Sequence, residues 1–297
     1  EVSSVASQFS LSSNANVSAT LQDSVKGLFG LGGSLAMTEK PTVTYAPLQG
    51  DKFIQRVLSP LPLQTVALLF HSGWSVERIF RLCFQRMNGL KNAPGASGPT
   101  PSLAPQYQDF ANAVKILRKL QIQDAINLAY YESNGEPQLI LDVYADDSNR
   151  EEAEQLALAL NLEPGKTRYV LTFSPVSQTT NQIRVVTRSL LGILFYLSQA
   201  VEVPSQDILQ GKTTQTKTIE GEVFDWKKVT GDLLRVRSHN VKPETAPMNI
   251  FYRGTWFFID DSDLSSKSTF SLLAQIFSLQ AGKIKDNAPL LTLPIGQ

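Results

Sequence analysis

Apolar and polar residues alternate at every second position through most of the first 48 residues. From Val5 to Val25 all apolar residues except Ala6 fall on odd positions, and the even positions carry mainly Ser, Thr, Asn and Gln. The same phase continues from Phe29 to Thr38. Successive side chains of a β-strand point to opposite faces, so this pattern predicts strands with one apolar and one neutral polar face. Segment 1–48 is therefore predicted to form a long amphipathic β-hairpin.

The turn of this hairpin is predicted within Gln22–Gly27, where charged residues and a glycine interrupt the alternation. Folding at that point pairs Val5 roughly with Thr44. Strands of about 9–11 residues with this alternation are typical of transmembrane β-barrels. We therefore expect the distal part of the hairpin to insert into a membrane, with Glu39 and Lys40 at the water boundary.

In this interpretation the even-numbered face lines a lumen and the odd-numbered face contacts lipid. The predicted pore-lining residues are Gln8, Ser10, Ser12, Asn14, Asn16, Ser18 and Thr20. The predicted lipid-facing residues are Phe9, Leu11, Ala15, Val17, Leu21, Phe29, Leu31, Leu35 and Met37. Hydroxyl and amide groups make a wet, uncharged lining, which is expected to select by size more than by charge.

A lone hairpin is not viable in lipid, because its edge N–H and C=O groups would be unsatisfied. Membrane barrels have at least about eight strands, so a ring of two-stranded contributions needs about four copies or more. The expected partners are copies of the same chain, outer-membrane lipid and other envelope proteins, and no nucleic acid. Two alternatives remain open: a soluble envelope interaction module whose β-arm adds strands to a partner protein, and a disordered Ser/Asn-rich tail.

From residue 49 onward the apolar period becomes helical in many segments, and the pattern predicts an α+β body over 49–297 with a mainly antiparallel sheet. Predicted helices cover 51–58, 63–71, 75–90, 107–120, 148–160, 188–200 and 262–280. Predicted strands cover 125–132, 138–144, 168–173, 182–187, 233–238, 248–259 and 290–295. Ser75 is a predicted N-cap, and Ser148 with Glu151 is a predicted capping box. The segment 91–105, rich in Ala, Pro, Gly and Ser, is predicted to be a flexible loop.

Composition narrows the function classes. The 297 residues include 27 basic and 27 acidic residues, so the zero net charge argues against a nucleic-acid-binding surface. A single cysteine, Cys83, excludes an internal disulfide and a cysteine-rich zinc site. The sequence contains no run of 18 apolar residues, so it predicts no membrane-spanning helix. We expect no metal and no cofactor.

Two polar clusters outside the hairpin have simple structural explanations that we favour over chemistry. Asp260, Asp261 and Asp263 precede a predicted helix, so they are expected to cap it, with a metal or catalytic cluster as the alternative. A second cluster comprises Arg78, Arg81 and Arg86 on the polar side of the predicted helix 75–90. For it we expect a solvated face, with lipid phosphates or a neighbouring subunit's carboxylates as alternative partners.

The remaining candidates also favour structural roles. Cys83 follows the apolar face of its helix and is expected to be a buried thiol, not a nucleophile. The three tryptophans, Trp74, Trp226 and Trp256, are expected to anchor the core or an interface. The glycines between 27 and 33 do not open a helix, so they are not a dinucleotide fingerprint. With no catalytic motif in the chain, we do not predict an enzyme.

Several segments together resemble a family of hypothetical proteins from Gram-negative bacteria whose members are often assigned as exported proteins or lipoproteins. These segments are TVTYAPLQGDKFIQRVLSPLPLQTVALLFHSGWSVERIFRLCFQRM at 42–87, ASGPTP at 96–101, TRSLLGILFYLSQAVEVP at 187–204, YRGTWFFIDDSDLSSKSTFSLLAQIFSLQAG at 252–282 and LTLPIG at 291–296. The resemblance implies an envelope location and an export signal upstream of Glu1, and it assigns no activity and no site residues. The sequence thus predicts a subunit of an outer-membrane ring or pore, a conduit or scaffold whose body lies in the periplasm or at the cell surface.

Overall fold

The computed structural model describes residues 2–16, 32–45, 51–99, 101–133, 135–173, 180–281 and 291–294. The chain divides into two compact units. Unit 1 comprises Glu1–Phe53 and Lys283–Gln297, and unit 2 comprises Ile54–Gly282. The C-terminal segment, which the sequence pattern groups with the body, belongs to unit 1 because its strand pairs there.

The strands in chain order are β1 (Val2–Asn16), β2 (Gly32–Tyr45), β3 (Phe84–Met87), β4 (Leu90–Lys91), β5 (Ile126–Ser133), β6 (Glu136–Val143), β7 (Arg168–Thr172), β8 (Gln182–Thr187), β9 (Arg237–His239), β10 (Asn249–Tyr252), β11 (Thr255–Phe258) and β12 (Leu291–Pro294). The helices are α1 (Asp51–Leu58), α2 (Leu63–His71), α3 (Val76–Cys83), α4 (Gln108–Ile122), α5 (Arg150–Ala159), α6 (Leu190–Ser198), α7 (Ser205–Leu209), α8 (Lys227–Thr230) and α9 (Leu264–Ala281). A 3₁₀ helix covers Pro94–Ser97.

The described part of unit 1 forms an antiparallel sheet in the order β1-β2-β12. Its register pairs Val5 with Val43, one residue away from the predicted pairing of Val5 with Thr44. Residues directly opposite each other in an antiparallel pair share a face. The observed register sets odd positions opposite odd positions, so both strands place their apolar sets on one face. The predicted register would have placed them on opposite faces.

Unit 2 contains a six-stranded sheet in the order β4-β3-β8-β7-β6-β5. Only β7 and β8 run parallel, and the other neighbouring strands are antiparallel. The β5–β6 pair forms the hairpin that the sequence predicts, with Tyr130 opposite Leu139. A smaller sheet has the order β10-β11-β9. These observations confirm an α+β body whose sheet is mainly antiparallel.

Apolar side chains from helices and sheet form one continuous core in unit 2. Helix α2 packs on β5 and β6, while α4 packs on α3 and α5. The largest fully buried apolar side chains are Leu61, Leu63, Leu69, Ile79, Phe80, Leu82, Phe84, Met87, Phe110 and Leu117. The rings of Phe80 and Phe84 meet edge to face at 4.6 Å. This core accounts for the 3.6-residue apolar period of α4 and for the buried alternation of β8.

Three sequence predictions for unit 2 are wrong in detail. The strand predicted over 248–259 is a hairpin, because Arg253 and Gly254 adopt positive φ angles of 49° and 84° and reverse the chain between β10 and β11. The predicted capping box of Ser148 does not form, since that hydroxyl donates to Asp146 and Asn149 is the N-cap of α5. The third error concerns the helix predicted over 75–90.

Helix α3 begins as predicted, with the Ser75 hydroxyl accepting the Arg78 N–H at 3.5 Å, but it ends at Cys83. The chain then continues as β3, although the apolar period runs on to Leu90. The helix can stop here because side chains satisfy the carbonyl groups at its C-terminal end. The Asn92 amide donates to the carbonyls of Arg81 and Phe84 at 2.8 and 2.7 Å.

Arg188, just before α6, satisfies most of the same carbonyls from inside the core. Its side chain is fully buried, and its Nη1 donates to the carbonyls of Arg81, Leu82 and Phe84 at 2.9, 3.2 and 2.8 Å. The other guanidinium nitrogens donate to the Asn92 carbonyl and, at 3.0 Å, to the Ser97 hydroxyl. No carboxylate pairs with Arg188 among the described residues. The negative end of the α3 dipole and these oxygens compensate the charge of Arg188 in place of a carboxylate.

The backbone of Arg188 extends this junction to a third segment. Its N–H donates to the Cys83 carbonyl at 2.6 Å, and its carbonyl accepts the Leu61 N–H at 2.9 Å. Burial lowers the pKa of Arg188 to about 10, so the guanidinium remains charged at neutral pH. One residue therefore joins the entry to α2, the α3–β3 junction, the 91–97 segment and the start of α6.

Replacing Arg188 is expected to destabilise unit 2 strongly. Arg188→Met leaves buried carbonyls without their donors, so we expect a loss of about 3–5 kcal/mol in the free energy of unfolding. Arg188→Lys keeps the charge but not the planar set of donors, and an intermediate loss is expected. Urea unfolding followed by tryptophan fluorescence measures both. The matched control is Arg184→Met on β8, an exposed side chain whose loss is expected within about 0.5 kcal/mol. Equal stability of the Met variants would contradict this role.

Candidate functional site

The predicted pore-lining residues that the structure describes all lie on the even-numbered face of the β1–β2 pair. Reading along β1, the register pairs Gln8 with Lys40, Ser10 with Thr38, Ser12 with Ala36, Asn14 with Ser34 and Asn16 with Gly32. Lys40 is the only charged residue at an even position in β1 or β2. Ser18 and Thr20 lie outside the described residues, as does the predicted turn at 22–27.

The predicted lipid-facing residues within the described strands lie on the odd-numbered face. The register pairs Phe9 with Glu39, Leu11 with Met37, Ser13 with Leu35 and Ala15 with Gly33. The other four candidates, Val17, Leu21, Phe29 and Leu31, lie outside the described residues. The assignment of one face to lipid and the other to a lumen stays a prediction.

The third strand, β12, follows the same parity. Leu291 pairs with Tyr45, Thr292 with Thr44 and Leu293 with Val43. Its leucines therefore share the odd-numbered face, and its threonine shares the even-numbered face. The predicted strand 290–295 is confirmed as β12, but its pairing with a strand nearly 250 residues earlier was not predicted, because four residues carry no signal of their partner.

In the described part of unit 1, the outer backbone edges of the β1–β2 pair are paired with another strand over only a short stretch. Strand β12 covers β2 only from Thr42 to Tyr45. Among the described residues, no strand pairs with the rest of that edge or with the outer edge of β1. Unpaired N–H and C=O groups along an edge are templates for pairing with another chain. The candidate site is therefore a two-faced strand pair with edges open to pairing.

The acidic cluster before α9 caps the helix, as expected. The Asp263 carboxylate accepts the N–H and the hydroxyl of Ser266 at 3.0 and 2.7 Å. The Asp260 carboxylate binds Ser262 in the same way, and these hydrogen bonds lower the pKa of Asp260. Asp261 pairs with Lys267 at 2.5 Å. In the described part of the chain, no group of three His, Cys, Asp or Glu residues is arranged to hold a metal ion.

The expectation of a solvated arginine face is wrong for two of the three arginines. Arg78 donates to the Ser265 carbonyl and to the Thr269 hydroxyl of α9, at 2.7 and 2.5 Å. Arg81 forms a two-pronged ion pair with Asp232, at 2.6 and 2.7 Å. Arg86, on β3, is exposed. The partners of Arg78 and Arg81 lie about 150 to 190 residues further along the chain, so local pattern alone could not identify them.

The Arg81–Asp232 ion pair shifts the pKa values of both of its members. Burial by itself would lower the pKa of Arg81, but the hydrogen bonds to Asp232, together with the charges of Asp232 and Glu77 and the Tyr196 hydroxyl, outweigh it and raise that pKa above its ordinary value. Burial would raise the pKa of Asp232, but the hydrogen bonds and the charge of Arg81, together with a backbone hydrogen bond and the charge of Lys115, outweigh it and hold that pKa below 3.8. Arg81 also donates to the Val229 carbonyl at 2.8 Å and to Glu77 at 3.4 Å.

The thiol and the tryptophans have structural positions, as expected. Cys83 is fully buried, and burial raises its pKa to about 12, so it is an unreactive thiol at neutral pH. Trp74 and Trp226 are half-buried and donate from their indole nitrogens to Gln275 and Thr216. Trp256 packs against Phe251 at 5.0 Å between ring centres.

Comparison with models of known protein families, with curated proteins and with solved structures found no match for this chain. Within the described ranges, no helix is both long enough and apolar enough to cross a bilayer. Function can therefore be inferred only from the geometry of each of the two units.

Loss of the Asp232 carboxylate is expected to cost stability in a pH-dependent way. The pKa of Asp232 is lowered by folding, so its contribution is present above about pH 4 and is lost as the pH falls through the folded-state pKa. Asp232→Asn should lose about 1–2 kcal/mol at pH 7, since it leaves the buried Arg81 partly unpaired. The difference from the unmodified chain should shrink below pH 3.8.

Urea unfolding from pH 3 to 8 measures this dependence. Asp147→Asn is the control, because that carboxylate pairs with Arg150 at a fully solvated position. A difference for Asp232→Asn that stays constant across the range would contradict the assigned coupling.

Proposed function

We propose that the β1–β2 strands form a membrane-inserting hairpin and that several copies of the chain close a shared outer-membrane β-barrel. The rest of the chain then forms a collar outside the lipid, and the ring acts as a conduit or scaffold of the cell envelope. No residue cluster of unit 2 is required for this function, because the pore belongs to the assembly.

The observation that carries the proposal is the parity of the register. Each residue pair from Val5–Val43 to Asn16–Gly32 joins two odd or two even positions. Most apolar residues of the two strands therefore share one face, and most polar residues share the other, with Ser7, Ser13, Glu39, Ala6 and Ala36 as the exceptions. A barrel wall needs this separation, since one face contacts hydrocarbon and the other contacts water.

The open edges support assembly from several copies. A strand pair in lipid must satisfy both outer edges, and each unsatisfied N–H or C=O group there costs several kcal/mol. Pairing β1 of one copy with β2 of the next would satisfy both edges at once. Strand β12 covers only Thr42–Tyr45, beyond the charged pair Glu39 and Lys40 that we place at the water boundary.

A matched pair of arginine substitutions tests the assignment of faces. Ala15 lies on the odd-numbered face and Asn14 on the even-numbered face, next to each other in the segment assigned to the bilayer. Ala15→Arg should cost about 2–4 kcal/mol per copy near the bilayer centre and abolish insertion, because the charge would face lipid. Asn14→Arg should insert, because the charge would face water.

Flotation with liposomes and release of a trapped dye measure the effect in the full chain. Thermal unfolding in the absence of lipid checks that both variants keep the fold of unit 2. Equal insertion of both variants would contradict the assignment of faces. If the protein stays monomeric and does not bind membranes, the ring proposal is wrong. That result would favour the alternative in which β1 and β2 add strands to a soluble partner protein.

Lys40 is expected to give the pore a weak preference for anions. The register places it opposite Gln8 on the even-numbered face, at the end of an otherwise uncharged lining. One positive charge per copy would form a cationic ring at the mouth of the lumen. Lys40→Gln should abolish the anion preference measured as a reversal potential in dilute salt, with Glu39→Gln on the other face as the control.

The preference should also fade in 1 M salt, where charges are screened beyond about 3 Å. An unchanged reversal potential in Lys40→Gln would show that Lys40 does not face the lumen.

A further inference from the structure

A polar cleft of about 540 Å³ opens in unit 2 beside the start of α4. One wall is the first turns of α4, from Tyr107 to Lys115, and the facing wall is α8 with the residues that follow it. Arg81, Asn92 and Tyr196 complete the lining. A second cleft of about 430 Å³ adjoins it and shares Tyr107–Asp109 and Lys228. Every lining residue belongs to unit 2, and none is used in the proposed membrane function.

Positive charge predominates in the first cleft. Four cationic side chains line it, namely Arg81, Lys115, Lys227 and Lys228, against the two carboxylates Asp109 and Asp232. Arg81 and Asp232 neutralise each other, and Lys227 lies 3.9 Å from Glu202. Lys115 and Lys228 have no ion-pair partner among the described residues. The uncompensated charge of the cleft is therefore positive.

The N-terminal end of α4 adds to this field. Tyr107 is its N-cap and provides no side-chain hydrogen bond to the helix. The N–H groups of the first helical turn therefore have no partner within the helix, and the dipole of this 15-residue helix favours an anion at this end. Asp109, in the first turn, is the one carboxylate of the cleft without an ion-pair partner in the described part of the chain.

The Tyr196 hydroxyl gives the second, independent indication of a ligand. Tyr196 is fully buried, and its hydroxyl has no well-formed hydrogen bond to any described residue. The Arg188 guanidinium stacks on its ring at 4.0 Å, Arg81 interacts with its hydroxyl, and Tyr196 is one of the residues that line the cleft. Burial raises the pKa of Tyr196, so the group is a neutral hydroxyl with a proton to donate. Cations surround it, and an acceptor oxygen is missing.

We propose that this cleft is a binding site for a small molecule carrying a phosphate group. The phosphate oxygens would accept from the Tyr196 hydroxyl and from N–H groups at the start of α4, while Lys115 and Lys228 compensate the charge. The amides of Gln108 and Asn112 line the same cleft and offer hydrogen bonds to the remainder of the molecule. The inference is independent of the membrane proposal, since all of these residues belong to unit 2.

Titration calorimetry of the full chain with inorganic phosphate, at constant ionic strength maintained with NaCl, tests the site. We expect saturable binding whose Kd rises about tenfold or more in Lys228→Gln and in Lys115→Gln, which corresponds to the loss of one charged contact. Lys166→Gln is the control, because that lysine pairs with Glu163 and does not line the cleft. Its Kd should equal that of the unmodified chain.

Tyr196→Phe separates a ligand contact from a structural one. Removing a buried hydroxyl that has no well-formed hydrogen bond should leave the melting temperature without phosphate unchanged or higher, while the Kd rises about tenfold. A merely structural hydroxyl would lower the melting temperature and leave the Kd unchanged. Absence of saturable binding, or equal Kd values for all the lysine variants, would overturn the proposal.

Two competition experiments identify the source of the phosphate group. Glycerol phosphate represents soluble phosphate esters, and vesicles containing phosphatidic acid represent lipid headgroups. Competition with inorganic phosphate by glycerol phosphate would support the proposal as stated. Competition by the vesicles alone would overturn the soluble ligand and assign the cleft to lipid.

Discussion

The fold of unit 2 depends on one buried cation, the Arg188 guanidinium, placed where a helix ends inside the core. An isolated charge in an apolar interior is costly, and here no carboxylate among the described residues compensates it. Backbone carbonyls at the end of α3 and in the 91–97 segment do so instead. The requirement is mutual, because those carbonyls would be equally costly to bury without a donor. The charge and the helix end are therefore stable only together.

Both proposed functions are inferred from polar groups that each unit leaves without a well-formed hydrogen bond among the described residues. Unit 2 satisfies its buried helix end from within, and the same cluster places Arg188 against the Tyr196 ring at the cleft. The Tyr196 hydroxyl is left without a well-formed partner there, which is the reason for inferring a ligand. Unit 1 leaves long strand edges without a partner in the described part of the chain, which is the reason for inferring neighbouring copies.

The candidate strands were predictable from sequence because a period of two identifies the faces of a strand without any tertiary information. Their pairing was predicted within one residue of Val5–Val43, and that single residue decides which face each strand presents to its neighbour. The cleft could not have been predicted. Lys115 and Lys228 are more than 100 residues apart, and neither carries a local signal of a site. The ion-pair partner of Arg81, Asp232, is also distant in sequence. The local pattern therefore predicts a solvated position for Arg81.

The sequence by itself determined the α+β class, most helices and strands of unit 2, and the separation of apolar and polar positions in β1 and β2. These features are local, since they follow from side-chain periodicity and capping residues within a few positions. Only the tertiary structure decided where α3 ends, because the apolar period continues to Leu90 and the donors that end the helix are distant residues. It also decided that β12 joins the N-terminal sheet and that a positively charged cleft forms beside α4, since contacts between distant segments leave no periodic trace.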